Sequence, residues 1–406
     1  MATGYPTIIY TEEGMREGMQ IESASIPVDQ KVELLDALSE TGLKRIVVGS
    51  FVSPKYTPQM ARIDEIMHKF HPKPGVTYLA LALNPKGLER ARAYAPPLTI
   101  ERGDGGVTRG RPTLRCHMCD VFIRRNTNRS QMQEMEAWPK TVAAAKANGA
   151  TQAGIGINAT FGSNFVGDFT VDMVMKFFEK QHNLWDDAGI KVTALSIGDP
   201  MGWCHPLKVQ QIFGRVKEKW PDITDFSAHL HNARGMAVAA TYAAITSLEA
   251  KDSLKLEGTL GGIGGCPYCG NGQATGMAPT EDLMHMFEGM GIETGVDLDK
   301  LIDCVWMLEK MLGRMTWGHV SRAGPRPTKP SQFFDANVPF VETVEQAKHF
   351  KLGPKLYEGC ISPWSEPITS PYLDRVKKGL PAYEVNGSWP WEEEFFPKPV
   401  TAAKAA

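Results

Sequence analysis

The sequence predicts an α/β fold, a closed (β/α)8 TIM barrel with a C-terminal extension. Short β-rich runs alternate with longer helical patterns along residues 6–290. Strand followed by helix, repeated, is the pattern of a parallel sheet covered by helices. Eight repeats favour closure into a barrel. The turn after the first run, TEEGMREGMQ (11–20), also lacks the Gly-rich phosphate loop expected of an open doubly wound sheet.

The β runs are PTIIYT (6–11), RIVVGSF (45–51), VTYLALAL (76–83), LRCHMCDVF (114–122), QAGIGINA (152–159), KVTALSIG (191–198), FSAHLH (226–231) and LKLEGTL (254–260). Helices are expected near 28–41, 58–71, 86–94, 130–149, 170–189, 205–218, 234–250 and 280–290. Two segments stand outside the repeat. Residues 96–113 form a Pro/Gly-rich loop whose Arg102, Arg109 and Arg111 either meet an anion or a partner subunit, or are simply solvated. Residues 320–406 are rich in Pro and Trp, with helix signals near 342–350 and 371–378. The expected division is a barrel over 1–315 and an extension over 316–406 that packs on the barrel or a neighbouring subunit. The final TAAKAA is expected to be disordered.

The 406 residues are 42% hydrophobic, enough for a large core. Lys+Arg of 44 against Asp+Glu of 46 gives a net charge of −2, which excludes a strongly basic nucleic-acid binder and a charged disordered chain. No apolar stretch reaches the ~18 residues of a membrane span. The opening MATGYPTIIY is not a secretory signal. Seven scattered cysteines fit a reduced, cytoplasmic compartment.

Barrel enzymes build their sites at the C-terminal ends of the strands. His229 and His231 lie two apart at the end of the seventh run, so they share a face and make half a metal site; the alternative is one functional and one packed histidine. Glu17, after the first run, can complete that site. Arg16 can supply fixed charge to a developing oxyanion, or the two can form a surface ion pair. The donor set suits Mg2+ or Mn2+ and also accommodates Zn2+. The segment GGIGGCPYCGNGQATG (261–276) is expected to be a lid carrying the thiol of Cys266, with Asn271 and Gln273 as polar ligands, or else a mobile turn. Asp199 can anchor substrate, act as a base, hold a metal-bound water or cap a helix. Asn158 and Thr160 can orient a substrate. Asp120, Arg124, Arg125, Asn126 and Asn128 can bind an anion or cap the next helix. Two C-x-x-C pairs, Cys116/Cys119 and Cys266/Cys269, raise a four-thiolate zinc site or a redox motif. Both rank below the His/Glu centre, because their separation and setting fit neither a zinc ribbon nor a thioredoxin-like unit.

These motifs, taken together, resemble the 3-hydroxy-3-methylglutaryl-CoA lyases. The likeness runs through REGMQ (16–20), GLKRIVVGSFVSPKYTPQMA (42–61), CDVFIRRNTN (119–128), SIGDPMG (196–202), HLHNARGMAVA (229–239), GGIGGCPY (261–268) and TEDLMHMFEGMGIETGVDLDKLI (280–302). It covers roughly residues 6–315. It implies a barrel binding one divalent cation and cleaving the C–C bond of a 3-hydroxy-acyl thioester by a retro-Claisen reaction. Arg16 then stabilises the enolate and Cys266 takes part in proton transfer. Glu17, His229 and His231 are the metal ligands, and Gln20, Asn158, Thr160 and Arg124 are candidate substrate contacts. Glu17 stands where the family has Asp, Val47 where it has a catalytic Glu on the second strand, and Met277 where it has an Asn ligand, for which Asn271 is the substitute. Pro200 stands for a Thr, and Asn-Ala-Arg-Gly follows His231 in place of Asp-Thr-Tyr-Gly. These departures imply a different substrate. The expected function is a metal-dependent lyase or Claisen-type synthase on a branched or carboxylated 3-hydroxy-acyl-CoA. The alternatives are an aldolase on a free 2-oxo or hydroxy acid and a non-catalytic acyl-binding barrel. The expected partners are a coenzyme A thioester and further copies of the chain in a dimer or tetramer, with no nucleic acid and no membrane.

Overall fold

The structure, a computed structural model, describes residues 4–82, 84–99, 111–270, 276–326 and 378 of the chain. The chain divides into compact units Met1–Pro325 and Arg326–Ala406, and the fold is that of the first. Arg102, Arg109, Asn271, Gln273, the TAAKAA tail and, Lys378 apart, the helix signals of the extension lie outside the described residues.

Eight parallel strands form one sheet: β1 (Thr7–Glu12), β2 (Arg45–Ser50), β3 (Thr77–Leu81), β4 (Thr113–His117), β5 (Gln152–Asn158), β6 (Lys191–Asp199), β7 (Asp225–Leu230) and β8 (Ser253–Gly258). Their lateral order is β3-β2-β1-β8-β7-β6-β5-β4. The first strand meets the last along its whole length, from Thr7↔Ser253 to Glu12↔Gly258. Each strand thus lies beside its neighbours in sequence, and the β1–β8 pairing makes the order circular, which gives the (β/α)8 TIM barrel. At the β3–β4 seam Tyr78 bridges in parallel to Leu98.

Alternation along each strand separates two environments. On β7, Phe226, Ala228 and Leu230 are buried, as are Leu254 and Leu256 on β8; they face the helical layer. Ser227, His229, Lys255 and Glu257 lie between them and line the interior. Register then sets one level near the C-terminal ends. Thr11 stands beside Glu257, Gly198 beside His229, and His117 beside Asn158.

All eight expected strands form, with boundary shifts where the apolar pattern is ambiguous. The fourth run continues in sequence to Phe122, but β4 stops at His117 and a helix, Asp120–Thr127, begins. Cys119 caps it, its sulfur accepting from the Phe122 amide at 3.4 Å. A short apolar run reads alike for a strand and a buried helix end. The expected helix 130–149 is two, Gln131–Glu136 and Trp138–Ala147, with Pro139 in the first turn of the second. Proline is tolerated there and not in a helix interior. The helix expected near 58–71 is shortened to Ile63–Lys69, preceded by a tight turn at Pro58–Met60. A further helix, Leu298–Leu312, buries Leu301, Ile302, Val305 and Leu308. Asp297 caps it, accepting from the Lys300 amide at 3.1 Å.

Candidate metal centre

Directly after β1 the chain makes a single wide helical turn, Gly14–Gly18, that buries Glu17. β7 delivers His229 at its inward position, and His231 follows just past its end. The His231 backbone is fixed on both sides: its amide donates to Asp199 O at 3.2 Å, and it bridges to Met277. The Nε2 atoms of His229 and His231 lie 3.1 Å apart. Glu17 Oε1 is 3.9 Å from His231 Nε2. One donor atom from each of the three side chains lies within 4.8 Å of the others.

This set fits a divalent cation on two grounds. Two imidazole nitrogens and a carboxylate oxygen are a common donor combination. Metal–ligand bonds of about 2.0–2.2 Å place neighbouring ligands about 3 Å apart, which is the separation of the two imidazoles. The second ground is charge. Glu13, Glu17 and Glu257 all act on the single guanidinium of Arg16. Arg16 Nε donates to Glu13 Oε2 at 2.8 Å and its NH1 to Glu17. Burial alone would lower the Arg16 pKa, but these carboxylates hold it above its ordinary range. Burial, with the charges of Glu257 and Glu17, pushes Glu13 up to about 7 even though Arg16 opposes it. Carboxylates thus outnumber the guanidinium they share, and a divalent cation at the two imidazoles would meet the Glu17 carboxylate beside them.

His229 is tied from behind. Its Nδ1 contacts Glu257 Oε2. Burial would lower the His229 pKa, but the Glu257 bond raises it to about 9. Glu257 itself is held down at about 2: burial raises it, and His229, Arg16 and Arg115 outweigh burial.

Cys266 begins the turn Pro267–Cys269 and is 9% exposed. Its thiol shares a hydrogen bond with Cys269, which lowers its pKa, and it feels the charges of Glu17 and His229. Gln20 Nε2 donates to Gly265 O at 3.5 Å, joining the segment after β1 to this loop. Asn158 lies in the same ring as His229. Its Oδ1 accepts from the Ala159 amide at 2.9 Å, and its Nδ2 is 3.3 Å from His117 Nε2. Gly198 keeps that space open, since a Cβ there would sit 2.6 Å from Asn158 Oδ1.

Three other candidates are engaged elsewhere. Both Asp199 oxygens accept backbone amides, Trp203 N at 3.0 Å and Cys204 N at 2.7 Å. Burial raises its pKa against those bonds. Asp199 therefore holds the turn after β6. The Thr160 hydroxyl is fully buried, donating to Ile157 O at 2.9 Å and accepting from Gly198 N at 3.3 Å. Arg124 is an exposed helical residue paired with Asp120 at 2.6 Å. Asn271 lies outside the described residues. Met277, where the family likeness places an Asn ligand, is buried beside the His231 backbone. The four C-x-x-C cysteines are not in disulfides, and among the described residues they form no metal-binding group.

The sequence reading passed over Glu13, Glu257 and His117. The His117 Nδ1 lies 2.9 Å from Glu134 Oε1, forming an imidazole–carboxylate pair at the end of β4. The available signal was a charged or imidazole residue at an inward strand position.

The chain is similar to known hydroxymethylglutaryl-CoA lyases. Mitochondrial hydroxymethylglutaryl-CoA lyase of Gallus gallus is 31% identical over 315 residues, 78% of this chain and 97% of that protein. The hydroxymethylglutaryl-CoA lyase of Bacillus subtilis is 28% identical over 82% of this chain and 99% of its own. A solved HMG-CoA lyase of Acinetobacter baumannii, in complex with coenzyme A and 3-methylmalate, is similar with TM-score 0.61 and 28% identity, covering 81% of this chain and 98% of that one. The HMGL-like family model matches residues 7–307, so the chain belongs to the HMGL-like family.

Proposed function

We propose that this chain is a divalent-metal-dependent carbon–carbon lyase acting on a branched or carboxylated 3-hydroxy-acyl thioester of coenzyme A, or the synthase running the same Claisen chemistry in reverse. The cluster of Glu17, His229 and His231 beside Arg16 and Cys266 carries this reading. Its likeness to hydroxymethylglutaryl-CoA lyases, one of them solved with coenzyme A and 3-methylmalate, supports a thioester bearing a carboxylated branch. Val47 and Met277, at places where the family likeness calls for Glu and Asn, support a substrate other than the usual one.

Glu17, His229 and His231 would hold Mg2+ or Mn2+, with Asn271 as a further ligand. The bound ion would lower the pKa of the substrate hydroxyl. The chain's own groups do the rest. The 3-hydroxyl proton passes to a carboxylate of the centre, the C2–C3 bond breaks, and C3 becomes a carbonyl. The bonding pair moves into the thioester enolate. Arg16, held in place by Glu13 and Glu17, offers fixed positive charge to the enolate oxygen. Cys266 returns a proton to C2. Asn158 and His117, across the ring from Glu257, face the acyl group.

The test is the metal content of protein purified without chelators, compared with His229→Ala. The expected result is about one equivalent of divalent metal, removable by chelation and lost in the variant. A panel of 3-hydroxy-acyl-CoA esters should then yield a cleaved thioester. Protein that rebinds none of Mg2+, Mn2+ and Zn2+ overturns the reading. Cleavage of free acids and not of thioesters would move it to an aldolase.

A further inference from the structure

The lyase likeness gives the second strand a catalytic carboxylate, and this chain has Val47 there, buried on β2. The interior is nevertheless not short of acid. Glu257 rises from β8 at the level of Thr11, and its Oε2 contacts His229 Nδ1. The far nitrogen of the same ring is the one that faces His231, at 3.1 Å.

A neutral imidazole carries one N–H, and the partner of one nitrogen decides the state of the other. Once an ion displaces the Nε2 proton, a carboxylate at Nδ1 keeps the remaining proton there and leaves the Nε2 lone pair to the ion. A carboxylate behind a ligating histidine also fixes the plane of the ring and raises the basicity of the donor atom. His229 Nε2 lies 3.1 Å from His231 Nε2, which lies 3.9 Å from Glu17 Oε1, so one run of contacts joins Glu257 on β8, His229 on β7 and the turn after β1.

We propose that Glu257 is a positioning residue of the centre. It locks His229 with Nε2 turned toward the place of the ion. This rests on the metal-centre reading above.

Two variants and two readouts test it. Glu257→Ala removes the acceptor, and Glu257→Gln keeps the shape and removes the charge. The first readout is Mn2+ affinity by titration calorimetry. Loss of a carboxylate behind a metal-bound histidine costs about 10–100-fold in affinity, so Glu257→Ala should fall in that range and Glu257→Gln less far. The second readout needs no metal. It is the downfield, slowly exchanging Nδ1–H proton signal of His229, assigned by its absence in His229→Ala. That signal should be present in the wild type and lost in Glu257→Ala. Wild-type Mn2+ affinity in both variants, or an unchanged proton signal in Glu257→Ala, overturns the role. If the wild type itself takes up no Mn2+, the lyase reading falls, and the proton signal alone decides whether Glu257 orients His229. A Glu257→Ala protein that does not fold leaves Glu257→Gln to decide, where unchanged Mn2+ affinity together with an unchanged signal counts against the proposal.

Discussion

Cys266 and Cys269 share a hydrogen bond, and the bond acts on them in opposite directions. It holds the Cys266 thiol below its ordinary range, while the same bond and burial push Cys269 well above its own. Cys269 Sγ also lies 3.1 Å from Pro200 O, a second acceptor for its one proton. Replacing Cys269 by Ala removes the bond that stabilises the Cys266 thiolate, so the pKa of Cys266 should rise. Alkylation by iodoacetamide at neutral pH should slow, and the midpoint of its pH–rate profile should shift upward. An unshifted midpoint would show that another group sets the reactivity of Cys266. The same scale shows what a sequence can disclose about a site. His229 and His231 were legible because a spacing of two on a strand fixes a common face, and Glu17 because it follows the first strand at the end where barrels build their sites. Glu257 was not, because it meets His229 through the register of β7 and β8, Leu256↔Ala228, and not through any local spacing. Thr160 and Asp199 look like site residues in the sequence, since polarity at a strand end does not reveal that their oxygens face inward to Gly198 N and to Trp203 N and Cys204 N.

The Gly-rich loop after β8 lies against the turn that carries Glu17. A Cβ at Gly264, where φ is +99°, would come within 2.7 Å of Glu17 O. Gly270, with φ of +100°, has nothing within 4 Å of such a Cβ. Alanine at either position carries backbone strain of about 1–3 kcal/mol, but only Gly264→Ala also pushes on the Glu17 backbone. Gly264→Ala should weaken Mn2+ binding by about tenfold, a change near 1.4 kcal/mol. Gly270→Ala should lower thermal stability and keep the affinity. Equal affinities in the two variants would mean that the loop does not set the position of Glu17. Elements of this kind divide into legible and illegible parts for a physical reason. The eight strands were visible because each is a short apolar run bounded by turn residues. The end of β4 was not, since Cys116, Met118, Cys119 and Phe122 are all buried and continue one apolar pattern through a change from strand to helix. The break at Ala137 between two helices was marked in the sequence by Pro139.

At the scale of the barrel, the end of β1, the start of the loop after β8 and the helix Thr280–Gly289 are joined through two buried carboxyl groups. Glu12 accepts from Gly14 N at 2.7 Å, from Leu260 N at 2.9 Å and from the Thr280 hydroxyl. Burial pushes its pKa from 4.5 up to about 7, against those bonds. Glu281 accepts from Gly261 N at 2.9 Å with one oxygen, and its other oxygen has no hydrogen-bond partner among the described residues. Burial, with the charges of Asp282 and Glu12, pushes it from 4.5 up to about 8. Both folded pKa values lie above the unfolded one. Between pH 4.5 and the folded pKa, the folded chain therefore binds protons that the unfolded chain has released. Stability falls with rising pH over that window, each group contributing up to about 1.4 kcal/mol per pH unit. The urea midpoint should drop between pH 5 and pH 8. Glu281→Gln is neutral at every pH, so its midpoint should fall less steeply over the same range. The variant gains on the wild type most at pH 8, because there the wild type has carried the full cost of keeping Glu281 protonated. If the two midpoints run parallel from pH 5 to pH 8, Glu281 is ionised in the folded chain, and Arg322, whose charge faces it, balances it after all.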